Sequence, residues 1–199
     1  MRIKEYATTI LKLKAKDDVL RERLIQEGTL SDGYHPEMRA LHNENIQTLN
    51  RLMEEYGFPG ISTVGPEAYE AAFIIVQHAI DHPKIIKKHA KDLWHAAQSG
   101  DANMIHYAYL IDRIAVFEGR PQIYGTQFDW DESGQMSPIG DMDFDAVNLK
   151  RKALGILPMD AQIQKMRDNA KKTGQTPPEN VQEKQAAYLA WLKEVGWRA

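Results

Sequence analysis

The sequence predicts a mostly α-helical protein, built as a single-domain helical bundle with a small β-hairpin insertion around residues 120–140. Apolar residues recur at approximately helical intervals through most of the chain, for example in residues 37–56. Glycine and proline bound these periodic segments, as expected for residues that end or start helices. Residues 120–140 instead combine turn residues with short extended runs, which is typical of a hairpin.

The helices are predicted from their apolar positions and their boundary residues. They span residues 2–14, about 17–26, 37–56, 66–81, 83–98, 102–118, 143–154, 159–172 and 179–195. Pro66 and Pro83 start two of them, because proline fits the first helical turn. Asp101 and Asp143 precede two others as N-caps, and Asp17 or Asp18 is expected to cap the second helix.

Three further segments complete the prediction. Residues 28–36 form a loop rich in glycine, serine, aspartate and proline, and residues 131–134 form the turn of the hairpin. A polar stretch with glycine and proline follows residue 172 and indicates a linker. The predicted organisation is therefore a helical domain at 1–172, then a linker and a C-terminal helix at 173–199.

The composition limits the classes of function. The 199 residues contain no cysteine, which excludes disulfides, thiolate metal sites and cysteine nucleophiles. The net charge of −3 provides no broad basic surface for nucleic acid. Residues 71–76 form the longest strongly apolar run, which is too short to span a bilayer, and the N-terminus lacks the apolar core of a signal peptide. We therefore expect a cytoplasmic protein with neither a nucleic-acid nor a membrane partner.

His78 is the strongest candidate for a catalytic residue. It follows the apolar run 71–76, which predicts a helix buried on all sides, and Gln77 stands beside it. Polar side chains in such a place must be hydrogen-bonded. An imidazole titrates near neutral pH and can act as a general acid or base. The alternative is a core histidine that only bonds a backbone carbonyl.

Asp112 and Arg113 are candidates in the middle of the predicted helix 102–118. Adjacent helical side chains point about 100° apart, so the two cannot face the same way. We expect Asp112 to orient His78, as the carboxylate of a catalytic triad does, and Arg113 or Arg120 to hold an anionic group. A structural ion pair of Arg113 is the alternative.

The segment Gly119–Gln127 is dense in polar side chains and is predicted to bind substrate. Its glycine at position 125 permits a positive φ or a close approach of ligand to backbone, and side chains at 122, 124 and 126 share one face if the segment is extended. The alternative is that these groups fasten the hairpin to the helices. The predicted substrate-binding set is Gln77, Arg113, Arg120, Gln122, Tyr124, Gly125, Thr126 and Gln127.

No cofactor is expected. His78 and His82 have the i, i+4 spacing of helical zinc ligands, and this pair is the alternative. The residue before a proline avoids helical geometry, and His82 precedes Pro83, so the two rings need not share a face. Asp141, Asp143 and Asp145 alternate as in a calcium loop but lack its glycine and distal glutamate.

The chain resembles a bacterial family of uncharacterised proteins over about residues 56–158. The elements that carry the resemblance are Tyr56–Pro59, Val64–Gly65, Ile75–Ala79, Ala108–Arg113, Glu118–Gln127 and Lys150–Pro158. It supplies no activity, but it implies that Gln77, His78, Asp112, Arg113, Gln122, Tyr124, Gly125 and Gln127 belong to one pattern. Residues 2–30 and the tail beyond 172 are expected to be specific to this chain.

Together these residues predict a small enzyme that uses a His78/Asp112 acid–base pair on a small polar or peptide-like substrate. Hydrolysis is the most frequent reaction of this kind, and elimination by a lyase and group transfer by a transferase are the alternatives. One alternative is a non-catalytic binding module for a peptide, a metabolite or a protein partner, and another is a structural protein. The C-terminal helix, with Trp191 and Trp197, offers a surface for a homodimer.

Overall fold

The computed structural model describes residues 3–30 and 34–199, and it confirms a mostly α-helical fold with one two-stranded antiparallel sheet. Its helices are α1 (Ile3–Gln26), α2 (Pro36–Tyr56), α3 (Ile61–Val64), α4 (Pro66–His78), α5 (Pro83–Gln98), α6 (Met104–Phe117), α7 (Phe144–Ala153), α8 (Met159–Lys172) and α9 (Val181–Glu194). The strands are β1 (Phe128–Trp130) and β2 (Met136–Pro138). No helix within the described residues is long and apolar enough to cross a bilayer. Residue 2 of the first predicted helix and residues 31–33 of the predicted loop lie outside the described residues.

The chain divides into two units, Met1–Asn103 and Met104–Ala199. In the first unit, α1, α2 and α4 pack against one another. Their contacts bury an apolar core, whose fully buried members include Tyr6, Ile10, Ile46, Leu49 and Val76. The division of the chain at residue 172, drawn from the linker composition, stays a prediction.

Helix α1 is continuous, so the predicted break before Asp17 is wrong. No glycine or proline lies between residues 14 and 17 to interrupt the helix, and Lys14 pairs with Asp18 one turn later. Asp17 is not an N-cap because its carboxylate points into the protein and bonds side chains of other helices.

Helix α4 is buried along most of its length, as its apolar sequence predicts. It ends at His78 and not at residue 81. The chain then turns through Ala79, and the backbone N–H of Ile80 bonds the carbonyl of His78 at 2.8 Å. His78 therefore occupies the last helical position, where a side chain can be held by the core and still reach solvent.

The predicted N-cap at Asp101 is also wrong. The helix begins at Met104, and the carboxylate of Asp101 accepts a hydrogen bond from the backbone N–H of Ser62 at 2.6 Å. Asp101 therefore supports the short helix α3 and not α6. Gly60 leaves room for this carboxylate, because a Cβ at that position would lie 2.0 Å from Oδ2 of Asp101 and would force it to move.

The second unit holds α6 to α9 and the hairpin, in which Asp129 pairs with Ser137. Asp143 caps α7 as predicted, because its side chain accepts from the N–H groups of Asp145 and Ala146. After α9, Trp197 is 5% exposed and its ring centroid lies 4.9 Å from that of Phe117 in the same chain. A homodimer through the C-terminal helix stays a prediction.

Candidate functional site

Three helices of the first unit bring one aspartate and two histidines together. Asp17 lies in α1 on the buried face that also carries Tyr6, Ile10, Leu13 and Leu24, so it occupies a position of the apolar stripe. His42 has the same place on the buried face of α2. His78 ends α4. The packing of the three helices therefore fixes where these polar groups meet.

The carboxylate of Asp17 joins the two imidazoles, one on each oxygen. Oδ1 lies 2.9 Å from Nε2 of His42, and Oδ2 lies 3.0 Å from Nδ1 of His78. The two rings are close, with centroids 4.6 Å apart. The side chain of Asp17 is 2% exposed and that of His42 is 9% exposed, whereas that of His78 is 31% exposed. His78 is therefore the member of the cluster with the most access to solvent.

The protons of this cluster follow from the chemistry of its groups. An ionised carboxylate only accepts hydrogen bonds, so Nδ1 of His78 and Nε2 of His42 must both carry a hydrogen. A neutral ring has one N–H, so Nε2 of neutral His78 carries a lone pair. Nδ1 of His42 then accepts from the hydroxyl of Tyr34, which lies 2.8 Å away. The same hydroxyl oxygen lies 3.4 Å from the carbonyl oxygen of His78.

Asp17 stays ionised because of its two neighbours. Burial alone would raise its pKa, but the hydrogen bonds and charges of His42 and His78 outweigh burial and place the pKa well below its usual range. Asp17 is therefore a buried carboxylate that keeps its negative charge near neutral pH.

His82, the partner of His78 in the alternative zinc pair, has another partner in the structure. It lies outside α4, and its Nε2 is 2.9 Å from Oδ1 of Asn43. Burial lowers the pKa of His82. Within residues 3–30 and 34–199, the group of side chains with ligand atoms close enough for one metal ion is Asp17, His42 and His78, whose ligand atoms lie within 4.8 Å of one another.

Asp112 lies in the second unit, where its carboxylate organises the predicted polar loop. It is fully buried and accepts from the backbone N–H groups of Ile123 at 2.6 Å, Tyr124 at 3.1 Å and Thr126 at 2.9 Å. The hydroxyl of Thr126 adds a bond of 3.0 Å. Burial raises the pKa of Asp112, although these donors pull it down. The loop thus folds around one carboxylate.

The side chains of the loop complete this internal network. Nε2 of Gln122 donates to the carbonyls of Gln127 and Ile139 at 2.9 and 2.8 Å, and its Oε1 accepts from the N–H of Gln127. Gly125 has φ +63°, and a Cβ there would lie 2.6 Å from Sδ of Met159. These contacts correspond to the structural alternative for the loop.

Arg151 closes the loop from the other side and was not selected from the sequence. It is 2% exposed, and its Nη1 donates to the carbonyls of Tyr124 and Gly125 at 2.6 and 3.1 Å. Burial lowers the pKa of Arg151. Arg151 lies within three consecutive basic residues, Lys150–Lys152, which resemble the solvent-exposed end of a helix. The sequence therefore does not indicate that Arg151 is buried.

The other predicted site residues lie in different environments. Burial lowers the pKa of Arg113, and Gln77 is buried within α4. Arg120 is exposed and pairs with Glu118 through its Nε at 2.8 Å. The structure thus brings Asp112 together with the 122–127 loop. His78 has Asp17 and His42 as partners, and neither belongs to the predicted set of site residues.

The polar residues on the apolar stripes are the signal that could have identified the cluster. Asp17 follows Leu13 by four positions and Tyr6 by eleven, which is helical spacing on one face. A carboxylate there must be paired if the helix is continuous. The predicted cap at Asp17 leaves this residue outside the predicted site.

Both polar clusters lie within the part of the chain that one family model matches. The model of DUF6624, a family of unknown function, matches residues 6–173. The match is wider than the expected 56–158 and includes residues 6–30, so the expectation that this segment is specific to the chain is wrong. Neither the curated proteins nor the solved structures give a match. Because the match covers most of the chain, the protein belongs to the DUF6624 family.

Proposed function

We propose that the protein is a small enzyme in which His78 is the general acid and base and Asp17 orients it. The substrate is a small polar or peptide-like molecule, and the reaction is hydrolysis. The observation that carries this proposal is the contact of 3.0 Å between Nδ1 of the part-exposed His78 and the buried carboxylate of Asp17. A histidine held by one nitrogen and reachable at the other suits proton transfer.

The proposed reaction begins with neutral His78. Its Nε2 lone pair takes a proton from a water molecule as the water oxygen attacks the electrophilic carbon of the substrate. The ring is then an imidazolium, which the negative charge of Asp17 stabilises. Nε2 returns the proton to the leaving group as the scissile bond breaks, so His78 ends in its starting form and no further reactant is needed.

His42 and Tyr34 act as positioning residues in this proposal. His42 holds the second oxygen of Asp17, so the carboxylate cannot rotate away from His78. Tyr34 in turn donates to Nδ1 of His42, the nitrogen that keeps its lone pair when Nε2 donates to Asp17. Asp17 thus replaces Asp112 as the proposed partner of His78, and Asp112 is proposed to hold the loop at 122–127. Binding of an anionic substrate group by Arg113 or Arg120 stays a prediction.

A non-catalytic binding module is the second candidate, and one observation favours it. The first unit has a groove of about 640 Å³ lined by Lys12, Ala15, Lys16, Val19, Leu20, Arg23 and Leu41. This volume lies in the range of small-molecule sites. The residues that line the groove do not include Asp17, His42 or His78. Substitution of His78 should therefore not change the affinity for a ligand bound in the groove.

The test of the enzymatic proposal compares matched histidine variants. His78→Gln is assayed against ester and amide panels beside wild type and His95→Gln, which changes an exposed histidine of α5. We expect kcat to fall by about 10²- to 10⁴-fold in His78→Gln, with KM little changed, because general acid–base catalysis contributes roughly that factor. Circular dichroism confirms that both variants fold. Wild-type turnover in folded His78→Gln would overturn the proposal.

A further inference from the structure

We propose that Asp17, His42 and His78 also bind one divalent transition-metal ion, and that the ion switches His78 off as a base. Binding of the ion depends only on the three side chains. The regulatory consequence rests on the proposed function of His78. The cluster would then hold either the two N–H hydrogens that the histidines donate to Asp17 or one metal ion, but not both.

The donor set and its spacing support a metal site. Each residue offers one ligand atom, and these atoms lie within 4.8 Å of one another. Ligand atoms on one tetrahedral zinc ion, at about 2.0–2.2 Å from the metal, stand roughly 3.3–3.5 Å apart. Side-chain movements on the order of 1 Å would therefore bring all three ligand atoms to the spacing that one ion requires. Two imidazoles with one carboxylate suit zinc, nickel or copper, whereas magnesium and calcium prefer oxygen ligands.

Access and burial are also suitable. Asp17 and His42 are buried, so their positions are set by the helices before an ion arrives. His78 is 31% exposed, so one edge of the cluster faces solvent. The carboxylate stays ionised, so the cluster offers a negative charge where the cation would bind. A preorganised anionic site with one accessible edge favours uptake of a cation.

Tyr34 supplies the most specific support, because its two contacts suit both states of the cluster. An ion on Nε2 of His42 requires a lone pair there, so the ring hydrogen moves to Nδ1. Nδ1 then donates to the Tyr34 oxygen, which lies 2.8 Å away. The Tyr34 hydrogen has an acceptor in the carbonyl oxygen of His78, at 3.4 Å. Metal-bound histidines commonly have such a second partner on the other nitrogen.

The same exchange of tautomers explains the regulatory effect. An ion on Nδ1 of His78 moves the ring hydrogen to Nε2, which then donates and no longer accepts a proton. His78 thereby loses the lone pair that the proposed reaction uses. A chelator would restore the lone pair and with it the proposed activity.

The test is a calorimetric titration of the full chain with zinc chloride after treatment with a chelator. We expect one zinc ion per chain, with at least about tenfold weaker binding in His42→Gln and in Tyr34→Phe, which loses only the hydroxyl that contacts Nδ1 of His42. His95→Gln, an exposed histidine, should bind zinc as wild type does. Tyr34→Phe keeps the aromatic ring, so it serves if His42→Gln does not fold. Equal zinc affinity in wild type and in the folded variants would overturn the proposal.

Long-range ¹H–¹⁵N spectra of the histidine rings provide the second measurement, because zinc is diamagnetic. We expect the hydrogen to move from Nδ1 to Nε2 in His78, and from Nε2 to Nδ1 in His42, as zinc is added. Unchanged tautomers at saturating zinc would overturn the site. Zinc binding with the tautomer change, in a protein without hydrolytic activity, would contradict only the proposed function. Hydrolysis that zinc does not inhibit would contradict only the regulatory role.

Discussion

Replacement of Asp112 by asparagine should strongly destabilise the protein, because one carboxylate anchors the whole 122–127 loop. Asparagine keeps one oxygen and turns the other into an NH₂ group. In one orientation the NH₂ group faces the N–H of Ile123, and in the other it faces the N–H and hydroxyl of Thr126. In either orientation a backbone donor loses its acceptor and meets another donor.

The expected magnitude follows from these contacts. Each lost hydrogen bond to a charged group is worth about 1.5–3 kcal/mol, and one or two are lost in each orientation. The neutral side chain is less costly to bury than the carboxylate, which offsets part of the loss. This offset agrees with the upward shift of the pKa of Asp112 by burial. We therefore expect the free energy of unfolding to fall by about 2–4 kcal/mol.

Urea unfolding at neutral pH, followed by tryptophan fluorescence and circular dichroism, measures this change. The matched control is Asp141→Asn, an exposed aspartate of the same unit, which should change the free energy of unfolding by less than about 0.5 kcal/mol. Equal stability of Asp112→Asn and Asp141→Asn would refute the role of Asp112 as the anchor of the loop.

Three further predictions concern stability and the proposed activity. Burial lowers the pKa of His89 to about 4. Between about pH 6.5 and pH 4 this histidine is therefore protonated in the unfolded chain but not in the folded one. Its contribution should lower the free energy of unfolding by about 3 kcal/mol over this range. Urea unfolding at both pH values measures this, and the same pH dependence in His89→Gln would contradict it. Gly125→Ala should lose about 1–3 kcal/mol, since φ is +63° and Sδ of Met159 lies in the way; an unchanged thermal midpoint would argue against the strain. Asp17→Asn should reduce kcat by at least about 10²-fold while the chain stays folded, and wild-type turnover would show that Asp17 is not needed.

Much of the fold could be predicted from local pattern. The apolar periodicity of residues 37–56 and 71–76 corresponds to α2 and to the buried α4, and Asp143 caps α7 as its sequence context indicates. The boundaries at Asp17 and Asp101 were wrong for one physical reason. An aspartate that accepts hydrogen bonds from distant residues has the same local sequence as an N-cap, and only the tertiary partners distinguish the two.

The candidate site was less predictable because its residues come from three helices. His78 could be selected because it follows an apolar run, but its partners are distant in sequence, at positions 17 and 42. Asp112 and the 122–127 loop could be grouped because they are neighbours along the chain. The bonds from Arg151 to this loop could not be predicted, because no local pattern connects Arg151 to the loop.

The tautomer of His78 tests the central claim most directly and needs no substrate. Long-range ¹H–¹⁵N spectra of the neutral ring in chelator-treated protein report which nitrogen carries the hydrogen. The contact with Asp17 predicts the hydrogen on Nδ1 and the lone pair on Nε2, and a change in this signal in Asp17→Asn. A neutral ring with its hydrogen on Nε2 would show that no carboxylate holds Nδ1, and it would contradict the proposed acid–base centre.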